Sequence, residues 1–366
     1  MSRVCYIAGE VDHAIASQQL GGLTPREFLR RYWQKRPLFV RAAVPALDRL
    51  VALEKIRALA ARDDVESRIV QRDAARWRTA HGPFPRLNVR KRDWTVLVSG
   101  LNLHHAPAER LLRRFDFVPL ARLDDVMVSY ATPGGGVGPH TDSYDVFLLQ
   151  GAGRRLWRVW FRGKILRHIA QPGDLLYLPP GLQHDGVALE PCFTYSVGFR
   201  APRDAELGAA FLDFLHERGL PDGRYRDPDL APARRVAEVP PRMLRHVEKA
   251  LRRIRWSRDD VTRFLGEYLT APKPHTVFKK PAPSTRRRRR PLRGAVVRLD
   301  PATQLLYAGG RFFVNGETVM FAGRAAGVLR ELAERRSVQA SRLTAAGLGA
   351  LAVQWRDAGW AHFERA

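Results

Sequence analysis

The spacing of apolar and polar residues changes character several times along the chain. Residues 24–33, TPREFLRRYW, put apolar side chains at helical spacing behind a cap at Thr24, with Glu27 three positions on. Pro37 stops that helix, and LFVRAAV after it reads as a strand. A second helix is predicted over about Leu47–Ala61, and SRIVQR and RWRTAHGPF follow as short strands with turns. Residues 93–114 carry helical spacing with a break near Pro107. Between 124 and 200 come five short runs: DVMVSYA, YDVFLLQ, RRLWRVW, GDLLYLP and FTYSVGF. Each alternates or is wholly apolar, and each is bounded by Gly, Pro or Asp. Strands this close together, with no helix between them, predict a sandwich or barrel and argue against a parallel α/β sheet.

Residues 204–270 turn helical again, through AELGAAFLDFLHERG, PRMLRHVEKALRRI and RDDVTRFLGEYL. Leu207, Phe211, Phe214 and Leu215 share one face of the first helix, which must bury itself on the barrel or on a second subunit. The stretch 271–293 holds five prolines, nine basic residues and no acid, so an extended tether is expected there. Beyond it, VVRLD, QLLYAGG, RFFVNG and TVMF are small strands, and Asn315-Gly316 is a hairpin turn signal. Two helices, about Ala325–Glu334 and Leu343–Arg356, complete a winged-helix-like α+β domain. No internal repeat is visible.

At 366 residues the chain has room for two or three domains, and its 45% hydrophobic content excludes wholesale disorder. No stretch approaches the roughly 18 apolar residues of a membrane span. The first residues lack the compact apolar core of a secretory signal. Two cysteines, Cys5 and Cys192, make no disulfide framework, which suits a reducing cytoplasm. The net charge of +25 suggests an anionic partner. It divides into +13 over 1–270, +9 over 271–293 and +3 over 294–366. The basic linker, with its Arg286–Arg290 run, therefore invites rRNA contact.

The chemistry concentrates in PGGGVGPHTD (133–142) and PGDLLYLPPGLQH (172–184). His140-x-Asp142 puts two metal-binding side chains on one side of a strand, because strand side chains alternate. His184 ends a loop just after the strand GDLLYLP. Two imidazoles and one carboxylate compose the facial triad that binds Fe(II) and leaves adjacent positions open. Zinc sites favour sulfur or more imidazoles. Hydrogen-bonded core histidines are the bland alternative, but Asp142 among them would then be a charge in need of a partner. His81, His104 and His105 are assigned to the surface or core. The run GGGVG lacks the Gly-Lys-Ser/Thr ending of a phosphate loop, and is expected to lend backbone flexibility at the mouth of the site.

These segments, together with RRYWQKRPLFVR, VESRIV, HGPF and YSVGFRAP, resemble the bacterial JmjC-type ribosomal oxygenases. More narrowly, they are similar to the family that hydroxylates a large-subunit ribosomal protein at arginine C3. The likeness runs well over about 24–270 and more loosely beyond. It implies a mainly β chain with α: a double-stranded β-helix (cupin), a helical dimerisation region and a carboxy-terminal winged-helix-like domain. The expected division is an extension at 1–23, a catalytic domain at 24–203, the helical region at 204–270, the linker at 271–293 and the last domain at 294–366. The resemblance makes His140, Asp142 and His184 iron ligands and implies Fe(II), 2-oxoglutarate and O2 as cofactor and cosubstrates. It assigns the distal carboxylate of 2-oxoglutarate to Arg155, which alternation places on one face with Trp157 while Arg154 and Arg158 point outward. Tyr130 and Ser196 are further candidates for that carboxylate. A ribosomal protein is then the substrate, a homodimer the assembly and the cytoplasm the location. Two other readings stay open: a cupin-fold RNA- or DNA-binding regulator with reduced turnover, and a protein demethylase using the same iron chemistry. One departure from the family lies between Trp160 and Pro172, where this chain has a short segment expected to border the site entrance.

Overall fold

The computed structural model describes residues 13–74, 76–274, 276–281 and 294–365. Cys5, the Arg286–Arg290 run and the larger part of the predicted tether lie outside the described residues.

Eleven strands build the first two-thirds of the chain. They are β1 (Leu38–Val40), β2 (Ser67–Asp73), β3 (Arg76–His81), β4 (Trp94–Val98), β5 (Leu123–Ala131) and β6 (Val146–Gln150). Then come β7 (Arg155–Phe161), β8 (Lys164–Ala170), β9 (Leu175–Leu178), β10 (His184–Ala188) and β11 (Cys192–Phe199). Eight form one antiparallel sheet in the order β1-β9-β6-β11-β5-β4-β2-β3, and β10-β7-β8 form a second, smaller sheet. Val146, Leu148, Leu176 and Leu178 of the large sheet meet Trp157, Val159 and Ala170 of the small one. This is a double-stranded β-helix, the barrel that the run of short strands predicts.

The other face of the large sheet is covered by the helices that precede β5. These are α1 (His13–Gln19), α2 (Pro25–Arg31), α3 (Leu53–Ala60), α4 (Leu101–His104) and α5 (Ala106–Arg113). Phe28, Ile56, Leu101 and Phe115 are fully buried there against Val96, Val126, Phe147 and Val197. Each such side chain contributes about 1.5–3 kcal/mol through the water it sheds. The cap predicted at Thr24 forms: Glu27 N–H donates to Thr24 Oγ1 at 3.2 Å, and Thr24 N–H donates to Glu27 at 2.9 Å.

Several elements differ from the sequence reading. Trp94–Val98, expected within a helix, is strand β4, buried at all five positions between β2 and β5. A wholly apolar run with Thr and Val fits a two-sided strand as well as a buried helix, and periodicity cannot separate them. The helix expected over Leu47–Ala61 begins only at Leu53, after a short 3-10 turn. The short segment after Trp160 is a hairpin. Arg162 and Gly163, both at positive φ, turn the chain tightly into β8. β8 is the edge of the small sheet, with β7 between it and His184 on β10, so it does not border the triad.

Beyond the barrel lie α6 (Asp204–Glu217), α7 (Pro241–Leu251) and α8 (Arg258–Thr270). The face predicted on α6 packs on α8: Phe211 and Phe214 lie 5.1 and 5.7 Å from Phe264. The last unit has strands β12 (Ala295–Leu299), β13 (Leu305–Ala308), β14 (Arg311–Val314), β15 (Glu317–Met320), β16 (Ser337–Gln339) and β17 (Ala361–Arg365). Its helices are α9 (Gly323–Arg335), α10 (Ala340–Ala345) and α11 (Gly349–Ala358). The expected helix Leu343–Arg356 is thus two, broken where Gly347 takes a positive φ. Asn315 and Gly316 form the predicted turn, both at positive φ.

α8 sits on this carboxy-terminal unit. A Cβ on Gly266 would stand 2.3 Å from the Phe313 ring, and Gly316 N–H donates to Thr270 Oγ1 at 3.0 Å. The helix expected to end the helical region therefore packs with the domain that follows it. Lys273 pairs with Asp124 at 2.7 Å, tying the same stretch to the barrel.

Candidate metal and cosubstrate site

His140 lies outside any regular strand. It makes a single antiparallel bridge to His184, with His140 N–H donating to His184 C=O at 3.0 Å and the reverse bond at 2.9 Å. This corrects the expectation of two ligands on one strand face. Asp142 follows in an open loop, and its carbonyl accepts from Gly181 N–H at 2.7 Å, which ties the loop to the turn before His184.

The three side chains converge. One ligand atom from each of His140, Asp142 and His184 lies within 4.8 Å of the others. His140 Nε2 is 3.9 Å and His184 Nε2 3.6 Å from the Asp142 carboxylate. His140 Nδ1 is 2.9 Å from Gly138 C=O, and His184 Nδ1 is 3.0 Å from Leu182 C=O. A carbonyl only accepts, so each ring carries its proton on Nδ1 and turns the Nε2 lone pair toward Asp142. Burial also holds His184 below the ordinary imidazole range, keeping it neutral. Two neutral imidazoles and a carboxylate facing one space are a donor set suited to a divalent iron ion.

The glycine run before His140 serves close packing. A Cβ on Gly135 would lie 2.3 Å from Trp94 C=O, one on Gly136 2.4 Å from Gly186 C=O, and one on Gly138 2.6 Å from Trp77 Nε1. The loop is held against β4, β10 and β3, so the flexibility expected of it is not its role.

Arg155, the first residue of β7, is 4% exposed. Alternation puts it on the inner face with Trp157, whose ring is 5.6 Å from the guanidinium. Its Nη2 donates to Cys192 Sγ at 3.7 Å, and its buried Nε has no partner among the described residues. Among the described residues no carboxylate pairs with it. A guanidinium this deep without an anion is costly, and a ligand carboxylate would supply the missing partner. Ala131, Ala188 and Cys192 form the small-residue floor beside it.

The remaining candidates separate. Ser196 is on the inner face of β11, opposite Met127, in line with Thr194 and Cys192. Tyr130 is on the other face of β5. Its ring packs 5.0 Å from Phe193 and 6.2 Å from Trp94 in the outer core, so the structure does not bring it to Arg155. Of the residues expected to face solvent, Arg154 is exposed and paired with Glu190 at 3.0 Å, whereas Arg158 binds the buried carboxylate of Asp185. His81 is exposed on β3, and His105 Nε2 contacts Leu50 C=O at 2.6 Å.

Sequence reasoning missed the polar lining. Thr194 Oγ1 donates to Gln150 at 3.2 Å on the inner faces of β11 and β6, where alternation along FTYSVGF carried the signal. Asp125 and Tyr144 flank Gly198, where a Cβ would be 3.9 Å from each. Burial raises the Asp125 carboxyl above its ordinary range. Burial, then Asp142 and Asp125, push the Tyr144 hydroxyl up to about 12.

Known proteins share this plan. The JmjC domain family matches residues 110–207, and the ROXA-like winged helix family matches 253–362. The ribosomal protein uL16 3-hydroxylase of Escherichia coli (strain K12) is 34% identical over 276 residues, 70% of this chain and 74% of that protein. The chain belongs to the JmjC-type ribosomal oxygenase family. A probable ribosomal oxygenase of Haemophilus influenzae is 36% identical over 232 residues, covering 57% of this chain and 55% of that one. A solved structure of an Escherichia coli ribosomal oxygenase in complex with cobalt and 2-oxoglutarate has a TM-score of 0.78 at 31% identity. The likeness extends over 93% of this chain and 98% of that one. No described helix is long and apolar enough to cross a membrane.

Proposed function

We propose that this protein is an Fe(II)- and 2-oxoglutarate-dependent hydroxylase of a ribosomal large-subunit protein, acting at an arginine side chain on its β-carbon. The observation that carries the reading is the pairing, inside one barrel, of the His140–Asp142–His184 donor set with a buried guanidinium, Arg155, that pairs with no carboxylate among the described residues. His140, Asp142 and His184 would hold the iron. It supplies O2 activation coupled to oxidative decarboxylation of 2-oxoglutarate, so that substrate C–H, O2 and 2-oxoglutarate become substrate C–OH, succinate and CO2. Arg155 would take the distal carboxylate bidentately, with Ser196 further along the same wall.

The substrate side is supported by Asp125. Its carboxyl is buried beside Tyr144, accepts from Gly100 N–H at 2.7 Å and feels the charge of Lys273, and a cationic side chain reaching it would further offset the cost of its burial. The relative's name specifies 3-hydroxylation of uL16, and an arginine fits that carboxyl.

The division into a barrel over 24–203, helices, a basic linker and a carboxy-terminal domain is kept, with α8 moved to the last domain because of its packing. A homodimer through the helices is supported by α7, where Met243, Leu244, Val247 and Leu251 are 38–61% exposed with no cover among the described residues. Cytoplasmic location suits a ribosomal substrate, and rRNA contact suits the linker's charge.

The test is anaerobic loading with Fe(II) and 2-oxoglutarate, then exposure to air with the ribosomal protein present and intact mass as readout. A gain of one oxygen atom that vanishes in His140→Ala is the expected result. Loss of a methyl group from a methylated protein instead would favour the demethylase. Absence of any change, with iron not retained, would overturn the reading.

A further inference from the structure

The large sheet ends in a hairpin, β2–β3, that projects past the core. β3 pairs on one side only, and five of its six residues are exposed. Residues 67–92, which span the hairpin and the loop after it, contain eight basic residues and one acid. All eight are exposed. Two pair with carboxylates, Arg72 with Asp93 at 2.8 Å and Arg78 with Asp73 at 3.1 Å. Arg68, Arg76, Arg86, Arg90 and Arg92 have no ion pair among the described residues. The charges occupy both faces of the hairpin: Arg68 and Arg72 share one face with Trp77, while Arg76 and Arg78 share the other.

This blade stands against the glycine loop that leads to His140. Trp77 lies against Gly138, two residues before His140, and the Arg72–Asp93 pair lies against Gly134 of the same loop. A basic ribosomal protein segment approaching the site would be repelled by such a rim. A polyanion would be drawn to it, and arginines on two faces of a projecting ribbon suit the spaced charges of a phosphodiester backbone better than a single carboxylate cluster.

We infer that the β2–β3 hairpin and the loop over 85–92 bind the phosphate backbone of RNA beside the glycine loop that carries His140. The surface is separate from the Arg286–Arg290 linker, and its binding does not depend on the hydroxylase reading. With a ribosomal protein as substrate, it would hold the RNA to which that protein is attached while the side chain enters the barrel. Backbone contact carries no base specificity, so binding is salt-sensitive and sequence-tolerant.

The test is fluorescence anisotropy of the full chain with a labelled single-stranded RNA of about 20 nucleotides, at several salt concentrations. The variants are Arg76→Gln/Arg78→Gln/Arg90→Gln on the blade and loop, a second set Arg86→Gln/Arg92→Gln on the loop alone, and glutamines throughout Arg286–Arg290. Neutralising the blade is expected to weaken binding about ten- to hundredfold and to lower the salt slope by about 2. The loss should also occur in the linker-neutralised background. The loop pair should show a smaller loss in the same direction, and thermal unfolding should match wild type. RNA affinity unchanged in both blade and loop variants, with all binding lost in the linker variant, overturns the proposal. Displacement of RNA by polyglutamate at lower charge concentration than by unlabelled RNA also overturns it, and assigns the rim to an acidic protein.

Discussion

Inside the barrel, Val146, Leu148, Trp157, Val159, Leu176 and Leu178 from two facing sheets close on one another, each 7% exposed or less. On α7, Met243, Leu244, Val247 and Leu251 repeat with helical spacing and stay 38–61% exposed. Both regions carry an apolar stripe, but only the first finds its complement within the chain. A sheet folded over itself supplies its own second layer, whereas a lone amphipathic helix needs a neighbour. The candidate metal donors His140, Asp142 and His184 therefore sit on a barrel whose core one chain supplies, and the helical stretch is where an assembly would be decided.

The largest expected effects test the self-sufficiency of the barrel. His140→Ala or Asp142→Ala should reduce retained iron and 2-oxoglutarate turnover to background, measured by metal analysis and succinate release. Turnover that persists would separate the triad from the reaction. Arg155→Met should raise the KM for 2-oxoglutarate roughly 100-fold, since two charge-assisted hydrogen bonds are lost. Thermal unfolding without 2-oxoglutarate should not drop, because the substitution also removes a buried cation lacking a partner. A large drop would mean that Arg155 is a structural residue. Gly136→Ala should cost about 1–3 kcal/mol by denaturant unfolding, because its Cβ meets the carbonyl of Gly186 at 2.4 Å. That shift moves β10 two residues from His184, so iron affinity should fall with it.

Smaller effects address the unfinished helices and the last domain. Leu244→Asp with Val247→Asp should convert a dimer to a monomer in sedimentation while leaving turnover per chain intact. If the wild type is itself a monomer, the exposed stripe has another role. The smallest effect concerns His362, whose imidazole is raised above its usual range by its hydrogen bond to Asp300 at 2.8 Å. A raised folded value gives stability that is full below the unfolded value of 6.5 and is lost as pH rises through the folded value. Unfolding of the carboxy-terminal unit should thus occur at slightly lower temperature at pH 8 than at pH 6, and His362→Gln should remove the difference.

His140, Asp142 and His184 were legible as a motif because donor chemistry is written in residue type and spacing, whereas Arg155 came through the family resemblance, with alternation giving its face. Ser196 was legible in part, and Thr194 on the same wall was missed although the same alternation carries it. Tyr130 shows the limit. Its neighbours on β5 reach the barrel interior, but a shift of one position turns its ring to the outer core. The same limit explains β4, where four apolar residues and a single Thr95 give too little alternation to reveal the period, and β8, whose hairpin turn consists of an ordinary Arg-Gly pair.

By itself, the sequence determined the barrel class, the metal donor set, the charge of the linker and the cap at Thr24, because each depends on local composition and spacing. Only the tertiary structure decided which residues share the interior. It set His140 against His184 through a backbone bridge, left Arg155 without a carboxylate among the described residues and docked α8 on the last domain. It also stood the basic β2–β3 hairpin against the glycine loop before His140. Those outcomes depend on contacts between segments far apart in the chain, and no periodicity within one segment encodes what the other will bring.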